Sequence, residues 1–314
     1  MPKKLKITVG VVALFLIFVA GYGVYIYQSV KTTADHIYEE RKPANIVADA
    51  RIQVEQAQLA QWKQEPVNKE KLTPFTVLVL GVDERAHDRG RSDVMILLSV
   101  SPAQKSILMF NIPRDTRTKI VGHGTTDKIN HAYAFGGVDM SIRSVENFLQ
   151  FPINYYIKVN MEGFSRIIDS LGGVTVMNTL AFDYEGFHFQ KGEITLGGEE
   201  ALAFSRMRYE DPRGDLGRNE RQREILKELI DKSLNISTVF KLQTILDEVG
   251  SSVKTDISFE EMKIFIKDYR TKLEKIEQVE IQGYGSRING IWYYNVSEEE
   301  RSRIHSLLKA HMQE

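Results

Sequence analysis

Apolar residues arrive along this chain in two rhythms, and the change between them outlines its elements. Phe75-Thr-Val-Leu-Val-Leu80, Val94-Met-Ile-Leu-Leu-Ser-Val100 and Ser106-Ile-Leu-Met-Phe-Asn-Ile112 are short, nearly unbroken apolar runs, the pattern of strands covered on both faces. Asn154 to Val159, Val174 to Met177 and Val279 to Gln282 add further strand segments. Helical spacing takes over in Met140 to Leu149 and in Phe164 to Leu171, the second closed by Gly172-Gly173. Ser258 with Glu261 and Ser297 with Glu300 are capping-box starts of two later helices. Strands alternating with helices predict an α/β sandwich around a central mixed sheet.

The N-terminus follows a third pattern. Lys3, Lys4 and Lys6 precede an uncharged run of 21 residues from Ile7 to Tyr27. A helix of that length rises about 30 Å, the hydrocarbon thickness of a bilayer. A cleaved signal peptide is the alternative, since Val19-Ala20-Gly21 offers small residues. Its apolar region normally spans only about 7–15 residues. This run continues into Tyr22, Tyr25 and Tyr27, which suit a membrane interface. The expectation is a cytoplasmic tail over 1–6 and a single-pass anchor over 7–27. The leading lysines keep the N-terminus inside, so the remainder lies outside the cytoplasm. Residues 28–72, rich in Gln, Glu, Lys and Ala and interrupted by Pro43 and Pro66, read as a partly helical stalk. Residues 73–314 read as one extracytoplasmic domain.

Composition narrows the chemistry. The 314 residues carry a formal net charge of −1, which argues against nucleic acid, whose phosphate backbone requires a net basic surface. Zero cysteines exclude disulfides, thiolate metal sites and cysteine nucleophiles. No H-E-x-x-H, G-x-S-x-G or G-x-x-x-x-G-K motif occurs.

Against that neutral background, six arginines fall within the eighteen residues from Arg206 to Arg223. Ile225, Leu226, Leu229 and Ile230 mark one apolar helix face. Continuing that stripe backwards at about 3.6 residues per turn reaches Arg221 and Gln222, then Arg218. Glu220, Arg223, Lys227 and Glu228 fall on other faces. Arginines thus stand where an apolar face should continue, and a half-buried guanidinium requires an anionic partner. Arg206 and Arg208 share a face if their segment is extended. Guanidiniums converging from a strand end and a helix start make an anion clamp. The alternative is a solvated loop paired internally to Glu210, Asp211 and Asp215.

Carboxylates accompany the arginines. Asp83 follows the first strand and Asp93 precedes the second, flanking one polar loop. Such a pair suits Mg²⁺, which takes one or two carboxylates plus substrate phosphate oxygens, although turn-forming aspartates follow the same pattern. Pro113 ends the third strand and delivers Arg114 to its terminus, where open α/β sheets bind ligands. Asp115 and His131 carry structural readings.

Taken in order, Gly81-Val82-Asp83-Glu84-Arg85, Arg91-Ser92-Asp93, Ile112-Pro113-Arg114-Asp115, Lys128-Ile129-Asn130-His131-Ala132-Tyr133, Leu171-Gly172-Gly173-Val174, Arg206-Met207-Arg208 and Gly214-Asp215-Leu216-Gly217-Arg218 with Arg221-Gln222 resemble the LytR–CpsA–Psr family. The Asp211-Pro-Arg-Gly-Asp215 run and Ile288-Asn-Gly-Ile-Trp-Tyr-Tyr294 are similar to its wall teichoic acid transferase branch. Leu216 departs mildly, standing where an aromatic is common. The resemblance implies a three-layer α/β/α domain and a phosphotransferase of the cell envelope. Its substrate would be an undecaprenyl-pyrophosphate-linked glycopolymer and its acceptor peptidoglycan, with polyprenyl phosphate released. By the same resemblance Asp83 and Asp93 would hold Mg²⁺, or Mn²⁺. Arg91, Arg114, Arg206, Arg208 and Arg218 would clamp the pyrophosphate with Gln222, and Asp215 would accept the incoming hydroxyl proton. The lipid would lie in an apolar pocket between sheet and helices, with Val145 and Phe148 expected as wall residues. A pyrophosphatase acting with water, or a non-catalytic membrane-anchored regulator, fits the same residues.

Overall fold

The computed structural model describes residues 3–41, 72–84, 88–232 and 242–313, with side chains from residue 20 onward. The core is a mixed sheet of β1 (Phe75–Val82), β2 (Ser92–Ser101), β3 (Ser106–Asn111), β4 (Tyr155–Asn160), β5 (Val253–Thr255) and β6 (Lys275–Val279). Their order is β5-β4-β1-β2-β3-β6. β1 pairs parallel with β4 and antiparallel with β2, and β3 pairs antiparallel with β2 and parallel with β6.

The unbroken apolar runs have a direct cause: side chains alternate between two faces and both are covered. Leu78, Leu80, Met95, Leu97, Leu108 and Phe110 face α2 (His131–Leu149) and α8 (Glu298–His311), meeting Ile142, Leu149, Ile304 and Leu308. Val77, Ile96, Leu98 and Met109 face the other way, toward Leu226 and Ile230 of α5 (Asp215–Lys232) and Tyr269 in the segment after α7 (Phe259–Ile264). A smaller apolar cluster joins α3 (Met161–Ser170), α4 (Gly198–Arg206) and Ile225 of α5 around Phe182, Phe189 and Phe204. This is a mixed α/β architecture about a central sheet.

Two expectations shift. The strand expected over 279–282 lies at Lys275–Val279, where exposed Lys275 and Glu277 hid it from a pattern search. Charged residues are how sheet edges avoid further pairing, while Ile281 sits in the core from a loop. The helix expected over 140–149 begins at His131, and the Gly136-Gly137 pair kinks it rather than ending it. Of the two capping boxes, Ser258–Glu261 is complete, whereas Glu300 turns its carboxylate to Arg303 and the Gln282 N–H.

The N-terminal run lies within a 35-residue helix, α1 (Lys3–Ile37). Its described end is fastened to the domain. Ala34 and Ile37 are buried, Tyr27 meets Phe259 edge-on, and Tyr38 bridges to Thr255. Arg41 then donates to Asp256 Oδ2 at 2.6 Å and to Ile153 O at 3.1 Å. Residues 42–71 of the expected stalk lie outside the described residues. Among the described residues no helix is long and apolar enough to cross a membrane.

Candidate active site

Strand ends and helix ends meet at one edge of the sheet. Asp83 follows β1, Asp93 opens β2 and Arg114 follows β3, while Arg218 and Gln222 stand on the first turns of α5. Arg206 is the last residue of α4, and Arg208 follows after an extended Met207. The pair is thus delivered by a helix end, where the sequence suggested a strand end. All seven line one cleft of about 230 Å³, with Ser205, Tyr184, Tyr209, Val94 and Met161 completing it.

Arg218 is the centre of its electrostatics. Its residue is only 5% exposed, and neither Nε nor Nη2 makes a hydrogen bond. Asp215 Oδ1 lies 3.3 Å from Nη2 and 3.1 Å from Arg208 Nε, so the two arginines share one carboxylate oxygen. Burial lowers the Arg218 pKa, Asp215 opposes that, and Arg114 and Arg208 push it further down. Arg114 donates from Nη1 to Asp93 Oδ1 at 2.9 Å, and its buried Nε has no partner. Burial pulls the Arg114 guanidinium down, but the charge and hydrogen bond of Asp93 outweigh it and raise it. A buried guanidinium with idle donors lacks the compensation that burial of charge demands. A phosphate's oxygens supply that compensation in fork geometry.

Gln222 is also oriented here. Its Oε1 accepts from Asn111 Nδ2 at 3.0 Å and its Nε2 donates to Ser205 O at 3.3 Å, leaving one amide proton for a ligand.

Other expected residues go elsewhere. Arg91 is exposed beside fully buried Ser92 and is not among the cleft residues. Arg221, on the stripe with Arg218, faces the small cluster and has ample partners. It donates to Asp211 Oδ2 at 2.5 Å and to the Phe204 and Met207 carbonyls, between the Phe182 and Phe204 rings. Gly217 makes this possible, since a Cβ there would stand 1.9 Å from Asp211 Oδ2. Arg223, on another face of α5, is buried against Asn111 Oδ1 and Gln278 Oε1 because β6 occupies that side. Asp115 pairs with Lys128 at 2.7 Å. Val145 and Phe148 pack fully into the core beneath α2, away from the cleft lining. The aliphatic side chains in the cleft lining are Val94 and Met161, and Val94 packs against the cluster on the α5 face.

Asn130 had no assigned role, although it stood within a quoted motif. Its Nδ2 donates to Asp93 Oδ1 at 3.2 Å, and its buried Oδ1 has no partner. Tyr184 comes from a three-residue strand with no sequence signal of a site. Among the described residues no group of three or more His, Asp or Glu side chains is arranged to hold a metal. A cation that takes most of its ligands from substrate and water would have Asp83 and Asp93, which both line the cleft, as its carboxylates.

A cleft of arginines and carboxylates at the edge of a mixed sheet is the site of a phosphate-handling α/β protein. Residues 24–310 match the model of the LytR_cpsA_psr family, and the chain belongs to it. It is 43% identical over 314 residues, 99% of each chain, to the polyisoprenyl-teichoic acid–peptidoglycan teichoic acid transferase TagU of Halalkalibacterium halodurans. The crystal structure of Bacillus subtilis TagU is 45% identical and superposes with a TM-score of 0.64, over 77% of this chain and 98% of that one. A TagT structure bound to LIIa-WTA is 30% identical, with a TM-score of 0.67 over 80% of this chain and 94% of that one.

Proposed function

We propose that this chain is a phosphotransferase of cell-wall assembly, moving an anionic wall glycopolymer from an undecaprenyl-pyrophosphate carrier onto peptidoglycan. Relatives named polyisoprenyl-teichoic acid–peptidoglycan teichoic acid transferases match it over nearly its whole length. The observation on this chain that carries the reading is Arg218, buried with two idle donors beside Arg114, Arg206 and Arg208.

The chemistry follows from the geometry. The four guanidiniums hold the pyrophosphate and stabilise the negative charge on the transferring phosphorus. A sugar hydroxyl of the acceptor attacks the phosphorus nearest the glycopolymer. The new P–O bond forms as the phosphoanhydride bond breaks, and polyprenyl monophosphate leaves with the bridging oxygen. The hydroxyl proton passes to the Asp215 carboxylate, which Arg208 and Arg218 already orient. Mg²⁺, held by Asp83 and Asp93, would neutralise phosphate charge when bound. Val94, which lines the cleft, packs against the apolar cluster on the α5 face, the side on which the lipid chain would lie. An anchor over 7–27 keeps the domain at the outer membrane surface, where a polyprenyl substrate is confined.

The test is incubation of full-length protein in vesicles with a synthetic polyprenyl-pyrophosphate glycan, with and without peptidoglycan oligomers. Glycan linked to the oligomer by a phosphodiester is the expected product. Release of glycan phosphate to water alone would make the chain a pyrophosphatase.

A further inference from the structure

The hairpin formed by Tyr284–Ile288 and Ile291–Asn295 plays no part in the cleft lining, yet it carries much exposed aromatic surface. Arg287 pairs with Trp292 and Gly285 with Tyr294, so the side chains of Arg287, Trp292 and Tyr294 share one face with Gly285. Trp292 is 41% exposed. Its indole lies against Gly285, where an added Cβ would be 2.0 Å from the ring. Tyr294 lies similarly over Gly283, with Cε1 2.6 Å from a Cβ built there. Two rings therefore lie over two glycines, each with one face supported. Buried core packing does not require this arrangement at an exposed hairpin.

The hairpin is joined to the cleft at two points. The Tyr294 N–H donates to the carbonyl of Asp115, the residue after Arg114, at 2.9 Å. Arg213, two residues before Asp215, pairs with Glu280 at 2.6 Å on the segment leading into the hairpin. Burial, then Glu280, Glu300 and Asp215, push the Tyr294 phenol up to about 12. The hairpin is thus tied both to the residue after Arg114 and to the loop before Asp215.

We propose that Trp292, with Arg287 beside it, is a platform for the acceptor, stacking a pyranose ring of the peptidoglycan glycan while the guanidinium meets its carboxylates. This rests on the transferase reading and names the acceptor subsite of that reaction. Aromatic faces bind the apolar faces of sugars, and an exposed arginine opposite the indole selects an acidic glycan. The donor's charge is already met by the buried arginines.

Trp292→Ala is expected to raise the KM for peptidoglycan oligomer about tenfold, equivalent to about 1.4 kcal/mol. The donor KM and the turnover at saturating acceptor should stay at wild-type values. Gly285→Val, which displaces the indole without removing it, should do the same. An unchanged acceptor KM in both, or a raised donor KM, overturns the proposal. The chain has two tryptophans, Trp62 and Trp292, so Trp62→Phe leaves the platform as the sole indole reporter. Its emission should change on adding peptidoglycan oligomer without donor, even if no transfer to sugar is found. A silent emission at oligomer concentrations that saturate turnover, or that reach the millimolar range where there is none, rejects the platform independently of the transferase reading.

Discussion

Arg218 Nη2 stands 3.3 Å from Asp215 Oδ1, in ion-pair range but without hydrogen-bond alignment. Three helical positions on, Arg221 meets Asp211 at 2.5 Å with full alignment. Two arginines of one helix are thus equally buried and oppositely satisfied. One is built to wait for a ligand, and the other holds the loop that carries Arg208 to Asp215.

Their substitutions should separate accordingly. Arg218→Met should reduce turnover about 100- to 1,000-fold, the scale of losing one transition-state donor. It should leave stability unchanged or raised, because a buried charge with two donors lacking hydrogen bonds is removed. Arg221→Met should instead lower stability by about 3–5 kcal/mol, since Asp211 is left buried without its partner. Paired unfolding curves and turnover rates check both, and equal stability losses would remove the distinction.

The carboxylates at the cleft predict a divalent-ion requirement. Activity should vanish with chelator and return with Mg²⁺ or Mn²⁺, and Asp83→Ala should raise the metal concentration needed for half-activity. Full turnover in excess EDTA would reassign Asp93 to orienting Arg114 alone.

His311 predicts a pH dependence of stability. It is buried between Ser99 Oγ at 2.8 Å and Ser106 Oγ at 2.9 Å. Burial lowers its pKa below 6.5, with Lys275 adding to the effect and Glu277 opposing it. Below that value the unfolded chain binds the proton more readily than the folded one. The contribution is therefore complete above pH 6.5 and is lost as the pH falls toward the folded value. Unfolding free energy should decline on acidification by at most about 1.4 kcal/mol per pH unit from this group. His311→Asn should flatten that part of the curve, and an unaltered slope would assign it to other groups.

The Ile7–Tyr27 run predicts topology. Protease added to intact protoplasts should remove the domain from Phe75 onward while sparing cytoplasmic proteins. Protection of the domain would place it on the wrong side for wall chemistry.

Much of this was legible in the sequence because two-sided burial leaves unbroken apolar runs, as in Phe75–Leu80 and Val94–Val100. The gathering of arginines was legible because Arg218 interrupts an apolar stripe at helical spacing. Periodicity could not tell Arg218 from Arg221, since one stripe faces both the cleft and the small cluster. The burial of Arg223, off the apolar stripe, was not legible because β6, which covers it, is itself masked by charged residues. Val145 and Phe148 share their pattern with any core helix, so cavity wall and core could not be separated without coordinates. Asn130 and Tyr184 reach the cleft through tertiary placement alone.

The central claim is that the buried Arg218 guanidinium, with two donors lacking hydrogen bonds, is the pyrophosphate site. Its most direct test is calorimetric binding of a non-hydrolysable polyprenyl-pyrophosphate glycan to three full-length proteins. Wild type and Arg213→Ala, whose arginine is already paired with Glu220 and Glu280, should bind equally. Arg218→Met should bind at least about 100-fold more weakly, a loss of about 2.7 kcal/mol. Equal affinity for Arg218→Met and wild type would contradict the assignment of the cleft.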